Sequence, residues 1–181
     1  FWDEFSSWYL EMIKPEYGKP IDTVTYEATL RFFNALLKML HPFMPFITEE
    51  LWHHLYDRKD GESIMRDELR LPALDKDELK LIEDLEQVKA IVSGVRTVRN
   101  QKNIAPKVEL ELDAIGQNNY EVYNSIIIKM ANLKAIEVVA EKPCDASGFM
   151  VGTDSFAVPV GDLIDVAAEI EKQEKELKHL E

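Results

Sequence analysis

The chain has 181 residues, of which 46% are hydrophobic and 30% charged, and its formal net charge is −13. This composition is typical of a globular protein with a sizeable core, and the single cysteine, Cys144, excludes an internal disulfide framework and a zinc ribbon. Because no basic leader precedes an apolar stretch and no run of about 18 apolar residues occurs, we expect a cytoplasmic protein with no membrane partner.

Two helices are predicted in the first 40 residues. Residues 1–14 place large apolar side chains at spacings of three and four, and Pro15 ends this helix. Residues 25–40 return to the same spacing after a Gly/Pro connection. We expect the aromatic side chains of these helices and of the corner that follows them, including Phe43, Phe46 and Trp52, to pack in the core, although an exposed ring could stack on a nucleic-acid base.

A rigid corner is predicted where the second helix ends. The segment 41–52 reads HPFMPFITEELW, and Pro42 stops the helix because proline lacks the backbone donor and disfavours helix for the residue before it. Thr48 is the predicted N-cap of a short third helix, with Ile47 and Trp52 positioned as a hydrophobic staple. The two prolines therefore indicate a hard turn between two helices.

The longest helix is predicted between Asp75 and Lys102. Residues 58–72 before it are polar and rich in turn formers, so we expect an irregular surface segment there. Asp75 and Glu78 form a capping-box pattern, and apolar residues then continue at alternating spacings of four and three. Such a helix would be about 40 Å long at 1.5 Å per residue, and Gly94 would weaken or bend it.

The hydrophobic period changes from 3.6 to 2 after Pro106. Residues 108–113 alternate apolar and acidic side chains, which predicts a half-buried strand. A helix at 120–133, a short strand at 135–140 and a hairpin at 149–160 that turns at residues 152–154 complete the pattern of a small α+β domain. The last 20 residues place apolar side chains on a heptad seam, the pattern of a coiled-coil helix through which two copies of the chain could associate.

These elements together predict a mainly α fold class with three parts. Residues 1–105 would form a helical bundle that includes the long helix, and residues 106–161 would form the small α+β domain. Residues 162–181 would begin a coiled-coil arm.

Basic residues are concentrated in the second half of the long helix and just after it. Between residues 57 and 86 acids outnumber bases by 11 to 6, whereas residues 88–108 contain no acid and five bases: Lys89, Arg96, Arg99, Lys102 and Lys107. Solvated side chains on an exposed helix face would explain this pattern. On a helical wheel Arg96 and Arg99 could instead reach one phosphate together, or they could hold acids of the preceding segment.

One pattern in the sequence could hold a metal ion. Glu50 and His53, repeated as Glu176 and His179, have the i, i+3 spacing of ligands in carboxylate-bridged di-iron bundles. Such a site needs two further inward glutamates on facing helices, and the second pair lies outside its heptad seam. We therefore expect no metal, and the sequence also lacks a nucleophile elbow and a Gly-rich phosphate loop.

Several segments resemble one family of enzymes. LHPFMPFITEELW and FWDEFSSWYLEMIKP are similar to the anticodon-binding helical bundle of class I aminoacyl-tRNA synthetases, and VRTVRNQKNIAP resembles the arginine-bearing helix end of that family. VPVGDLIDVAAEIEKQEKEL resembles the entry into the C-terminal coiled coil of the valyl-tRNA synthetases. This last segment favours the valyl family over the isoleucyl and leucyl families, and the resemblance extends over the whole chain.

The resemblance implies a C-terminal fragment of a valyl-tRNA synthetase that supports the anticodon stem and loop of tRNA(Val). The parent enzyme of such a fragment is a monomer that joins valine to its tRNA with ATP and magnesium, and its HIGH and KMSKS signatures are not in this chain, which itself would carry no cofactor. We expect five residues to contact the RNA phosphates, which positions RNA without reading its bases: Lys89, Arg96, Arg99, Lys102 and Lys107. The alternative is a helical protein-interaction module with no role in RNA binding.

Overall fold

The computed structural model describes residues 3–15, 17–70, 73–117 and 119–161. Contacts divide the chain into two compact units, Phe1–Asp75 and Lys76–Glu181. The predicted coiled-coil helix, with the seam expected to mediate self-association, lies outside the described residues. No helix within the described ranges has the length and apolarity needed to cross a membrane.

Helices and turns form the described part of the first unit. A π-helical segment, Asp3–Tyr9, continues into α1, Leu10–Ile13, and the later elements are α2, Thr23–Leu40, α3, Pro45–Leu55, and a 3-10 turn, Ile64–Arg66. Leu37, Trp52 and Ile64 are buried together at the centre of this unit. The core therefore joins α2, α3 and the 3-10 turn.

The start of α2 is set by a side-chain cap. Asp22 has an extended backbone, and its Oδ1 accepts a hydrogen bond from the backbone N–H of Thr25 at 2.8 Å. This bond lowers the pKa of the Asp22 carboxyl, because it favours the charged form. The helix consequently begins two residues earlier than the sequence pattern predicts.

The corner between α2 and α3 differs from the prediction in one respect. α2 ends at Leu40, but α3 begins at Pro45, whose fixed φ suits the first position of a helix. Thr48 therefore lies inside α3, and the prediction that it caps the helix is wrong. Its buried hydroxyl donates to the carbonyl oxygen of Met44 at 2.7 Å and accepts from Nδ1 of His41 at 2.8 Å, which holds the corner from within.

The second unit contains a sheet covered by helices. Its elements in chain order are α4, Lys76–Gln101, β1, Leu110–Ile115, a 3-10 turn, Glu121–Tyr123, α5, Asn124–Ala131, β2, Leu133–Val139, β3, Ala146–Val151, and β4, Asp154–Pro159. The strands lie in the order β2-β1-β4-β3, and β1 and β2 are parallel because α5 provides the crossover between them. The predicted hairpin is confirmed as β3 and β4, which pair antiparallel.

The mainly α fold class predicted from the sequence is wrong. The chain has an α+β fold with a four-stranded mixed sheet. Hydrophobic spacing alone places α4 in the helical bundle. In the structure α4 packs on α5, β3 and β4 instead. Its buried stripe includes Val88, Val92 and Val95, which are fully inaccessible. The contact boundary at residues 75 and 76 thus precedes the predicted domain limit at residue 105, and the predicted domain limits themselves stay a prediction.

Gly94 lies where α4 approaches the sheet. A Cβ at this position would be 2.4 Å from Cδ2 and from Cε2 of the Phe149 ring on β3. The helix continues through Gly94 without interruption. Glycine is therefore present here because the Phe149 ring occupies the space of a side chain, and not to interrupt the helix.

Candidate nucleic-acid interface

The five predicted basic residues have different surroundings in the structure. Arg96 and Lys107 are exposed, Lys89 and Lys102 are partly buried, and only 5% of the surface of Arg99 is accessible. Burial of this degree leaves a guanidinium no room for an RNA phosphate. The set therefore divides into an internal residue and residues that remain at the surface.

Both terminal nitrogens of the Arg99 guanidinium donate to carbonyl oxygens. Nη1 donates to the carbonyl oxygens of Val108 at 2.7 Å and Ala105 at 3.3 Å, and Nη2 donates to those of Asn132 at 2.9 Å and Ala131 at 3.0 Å. Burial lowers the pKa of the guanidinium, but an arginine remains protonated over the whole physiological range. Arg99 thus ties the end of α5 to the segment that follows α4.

The chain leaves α4 in a geometry that makes this contact possible. Asn103 has a left-handed backbone with φ of 53°. Its N–H donates a hydrogen bond to the carbonyl oxygen of Asn100, and the N–H of Ile104 donates to that of Arg99 at 2.9 Å. This pair of bonds is the Schellman arrangement that ends many helices. It turns the chain back, so that the carbonyl groups of residues 105 and 108 face the Arg99 side chain.

Arg96 also binds the end of α5. Its Nη2 donates to the carbonyl oxygen of Met130 at 3.0 Å, next to the carbonyls that Arg99 binds. The last carbonyl groups of a helix lack partners within the helix and carry the negative end of its dipole, so arginines stabilise them. Both arginines therefore bind the C-terminal end of a helix. The sequence analysis considered only a phosphate or acidic side chains as their partners.

These contacts give Arg99 a structural role inside the unit, and phosphate binding by the five predicted residues stays a prediction. The burial of Arg99 was visible in one sequence signal. The residues Val88, Val92, Val95 and Arg99 are separated by four, three and four positions, which places Arg99 on the buried stripe of α4. A buried arginine needs several acceptors, and the nearby helix end supplies them.

The other cations differ in how far their charge is already neutralised. Nζ of Lys89 lies 2.7 Å from a carboxylate oxygen of Glu86, and 14% of the Lys89 side chain is exposed. Lys107 is exposed in the segment between α4 and β1, and Lys102 lies at the end of α4. The basic residues at or near the surface of this helix end are therefore Arg96, Lys102 and Lys107.

An acidic row on the sheet lies in the same unit. Asp113 on β1 is directly opposite Glu137 on β2, and Glu111 projects from the same face two residues earlier. Burial raises the pKa of the Asp113 carboxyl, and the negative charges of Glu137 and Glu111 raise it further. The charges of these three acids disfavour phosphate at this row, although Nζ of Lys134 lies 3.1 Å from Oε1 of Glu111.

The raised pKa of Asp113 has a measurable effect on stability. The folded protein holds the Asp113 proton more tightly than the unfolded chain, so stability should fall as pH rises from the usual aspartate pKa of about 3.9 to the raised value. Asp113→Asn removes this loss, and we expect the variant to be more stable than the parent at pH 7 and equal to it at the lowest pH. Urea unfolding across the pH range measures the difference, with exposed Glu109→Gln as the control; equal stability of the Asn variant and the parent at pH 7 would contradict the prediction.

Two aromatic residues at the corner are exposed, contrary to the expectation that they pack. The accessible fractions are 82% for Phe43 and 90% for Phe46, while Trp52 on the same helix as Phe46 is 2% accessible. The sequence spacing identified the buried Trp52 correctly. It did not separate the inward face of α3 from the side on which Phe46 lies.

Glu50 and His53, the described pair of the possible metal pattern, are not part of a metal-ligand group. His53 contacts Glu49 at 3.2 Å, and Nδ1 of His54 lies 2.8 Å from the carbonyl oxygen of Glu50. Within residues 3–15, 17–70, 73–117 and 119–161, no three side chains of His, Cys, Asp or Glu are grouped as metal ligands. Glu176 and His179 lie outside these ranges.

A second group of cations, which the sequence reasoning missed, lies in the first unit. Arg31 and Lys38 on α2 line a cleft together with Arg66 and Arg70, which come from the polar segment before α4. The count of charges over residues 57–86 concealed Arg66 and Arg70 because acids outnumber bases there. The signal available in the sequence was the i, i+7 spacing of Arg31 and Lys38, which places both on one helix face.

Comparisons with known proteins decide the family. Residues 1–114 match the family model described as the anticodon-binding domain of tRNA ligase. The chain belongs to this family. The matched residues include α1 to α4 and most of β1, so the anticodon-binding domain extends across the contact boundary between the two units.

Curated relatives of this tRNA ligase domain are valine–tRNA ligases. The chain is 54% identical to that of Phocaeicola vulgatus over 181 residues, covering 100% of the chain and 20% of the relative. It is 54% identical to that of Parabacteroides distasonis, covering 99% and 20%, and 53% identical to that of Bacteroides thetaiotaomicron, covering 100% and 21%. The resemblance to valyl-tRNA synthetases is therefore confirmed, and the chain spans about a fifth of the length of these relatives.

Proposed function

We propose that the chain is the part of a valine–tRNA ligase that binds the anticodon stem and loop of tRNA(Val). The match of residues 1–114 to an anticodon-binding domain carries this proposal. The full-length similarity of the chain to valine–tRNA ligases supports the choice of tRNA(Val). The enzyme that contains the chain would join valine to this tRNA with ATP and magnesium, and the role of the chain would be to bind and position the RNA.

Part of the proposed contact surface lies at the C-terminal end of α4. Lys107 is exposed there, Lys102 follows the last residue of the helix, and Arg96 is exposed while it also binds the carbonyl of Met130. Lys89 contributes less because Glu86 already neutralises its charge. Arg99 supports this surface from inside by holding the chain that carries Lys107.

Salt dependence is the property that tests this proposal. The net charge of −13 opposes binding to RNA, so the affinity must come from local cations that displace counterions from phosphates. The affinity for tRNA should then fall steeply as salt is added. A surface that binds other proteins through apolar contacts would lack this dependence.

We expect the double variant Lys102→Gln and Lys107→Gln to bind a tRNA(Val) transcript about fivefold to tenfold more weakly at low salt, because two phosphate contacts are lost. The slope of log affinity against log salt should decrease by about 0.9 for each lost contact. Fluorescence anisotropy at several salt concentrations measures both quantities. The matched control is Lys76→Gln with Lys80→Gln, which makes the same change in charge at exposed positions near the start of α4.

Two results would contradict different parts of the proposal. If the parent chain shows no salt-dependent binding of tRNA, the proposed function is wrong. If the parent binds tRNA but the double variant and its control lose affinity equally, the function stands and the assignment of Lys102 and Lys107 fails.

A further inference from the structure

The cleft in the first unit combines a helix face with the segment before α4. Arg31, Asn34, Ala35 and Lys38 come from one face of α2, and the opposite wall is formed by residues 66–70. The volume of the cleft is about 550 Å³. A cleft of this size accepts a nucleotide-sized group, since binding clefts for such ligands fall in the range of about 300–1,000 Å³.

The ion pairs of the cleft leave two cations without a counter-charge. Nζ of Lys38 lies 2.8 Å from Asp67, and Nη2 of Arg70 lies 2.8 Å from Glu68, so both acids already have a basic partner. The side chains of Arg31 and Arg66 form no hydrogen bond or ion pair with any described residue. The cleft thus carries two excess positive charges, although residues 1–75 contain 14 acids and 8 bases.

A buried polar atom without a partner lies in the same wall. Oδ1 of Asn34 is buried and accepts no hydrogen bond from the described residues. An unsatisfied buried acceptor is costly, so the Asn34 amide indicates that a donor is missing from the cleft. The amino group of a base and the 2′-hydroxyl of a ribose are donors of this kind.

A smaller cleft adjoins the first at the residues that both clefts share. It has a volume of about 310 Å³, shares Arg66 and Asp67 with the larger cleft, and includes Trp52, whose buried Nε1 also has no acceptor among the described residues. The Arg58 guanidinium covers the Trp52 ring at 3.2 Å from its centroid and donates from Nε to the Trp52 carbonyl. These two buried groups, one acceptor and one donor, are the unsatisfied side-chain atoms of the described structure, and each lies in a wall of one cleft.

We propose that this pair of clefts binds a single-stranded RNA segment, with Arg31 and Arg66 contacting its phosphates and the Asn34 amide contacting a ribose or a base. This inference rests on the proposed function, because the match to an anticodon-binding domain is what selects RNA among polyanions. It places a phosphate contact in the first unit, in addition to the surface at the end of α4. Two unpaired guanidiniums at a cleft suit phosphate because each offers a planar pair of donors.

The test compares Arg31→Gln and Arg66→Gln with Lys14→Gln in the 181-residue chain. All three positions are exposed and each variant loses one positive charge, but Lys14 directly follows α1 and forms an exposed pair with Glu11. We expect each arginine variant to bind an unmodified tRNA transcript about fivefold more weakly and to lower the salt slope by about 0.7, the value for one phosphate of a single strand. Lys14→Gln should change neither quantity. Circular dichroism on heating confirms that the variants are folded.

A further arm uses two other probes, an anticodon stem-loop RNA and poly-glutamate. We expect the arginine variants to lose affinity for the stem-loop RNA. Asn34→Asp should lose affinity as well, because its carboxylate brings a negative charge beside the phosphates.

If the parent binds tRNA and the arginine variants bind it as tightly as Lys14→Gln, the cleft proposal is overturned while the proposed function stands. Loss of poly-glutamate binding without loss of RNA binding would also overturn it, in favour of an acidic polypeptide. If the parent binds no RNA at all, both proposals fail.

Discussion

Replacing Arg99 with methionine should lower the free energy of unfolding by about 3–5 kcal/mol, since charged hydrogen bonds to buried acceptors contribute about 1.5–3 kcal/mol each and are partly redundant here. Methionine has a similar length but no donor, so the carbonyl oxygen of Ala131 loses the bond to Nη2 and stays buried. The carbonyls of Val108 and Asn132 keep weaker bonds, from the Asn132 amide at 3.3 Å and from the N–H of Leu110 at 3.4 Å. This redundancy is why the expected loss is smaller than four times the value of one bond.

Arg96→Met is the matched control for this experiment. It removes the same charge one turn earlier on α4, but Arg96 is exposed, whereas Arg99 is buried and donates to four carbonyl oxygens. We expect the control to lose about 1 kcal/mol or less. Chemical denaturation followed by circular dichroism measures both variants. Equal losses in the two variants would show that Arg99 does not have the structural role assigned to it.

Replacing Gly94 with valine is expected to destabilise the protein by about 2–3 kcal/mol, because the new side chain must displace the Phe149 ring from a packed interface. The Cβ alone would lie 2.4 Å from two ring carbons of Phe149. That ring stacks on Phe156 with centroids 5.6 Å apart, and Phe156 is 2% accessible, so its freedom to move away is limited. Thermal unfolding should show a lower midpoint for the variant.

Two further variants separate packing from helix propensity. Ser93→Val places valine at the neighbouring, exposed position of α4, and it should cost only the few tenths of a kcal/mol expected for a β-branched residue in a helix. In a Phe149→Ala background, the additional cost of Gly94→Val should largely disappear, since the clash is removed. A cost of Gly94→Val that is unchanged in that background would contradict the contact with Phe149.

The local elements of the chain follow closely from hydrophobic spacing. α2 and α4 have ends within about two residues of the predicted ones, and the hairpin of β3 and β4 turns at Gly152 as the sequence indicates. These elements depend on caps, prolines and periodicity, which act over a few residues. Thr48 shows the limit of such signals, because a threonine before two glutamates is an N-cap pattern, yet Pro45 starts the helix three residues earlier.

The candidate contact residues could be predicted only in part, because the sequence does not tell which group an arginine will face. Lys107 is exposed as expected, whereas Arg99 binds carbonyls contributed by residues 105, 108, 131 and 132. The last two are more than 30 positions away along the chain. Arg31 and Arg66 were overlooked for the same reason, since their segments are brought to one cleft only by folding.

The sequence by itself therefore determined the family, the helices and strands, and the local concentration of charge, because each depends on residue types at short separations. The tertiary structure alone decided that α4 packs with the sheet, which makes the fold α+β, and that the Arg99 guanidinium is an internal support. The physical reason is that burial and hydrogen-bond partners depend on which distant backbone groups meet, and a buried charge stays in the fold only where enough acceptors converge on it.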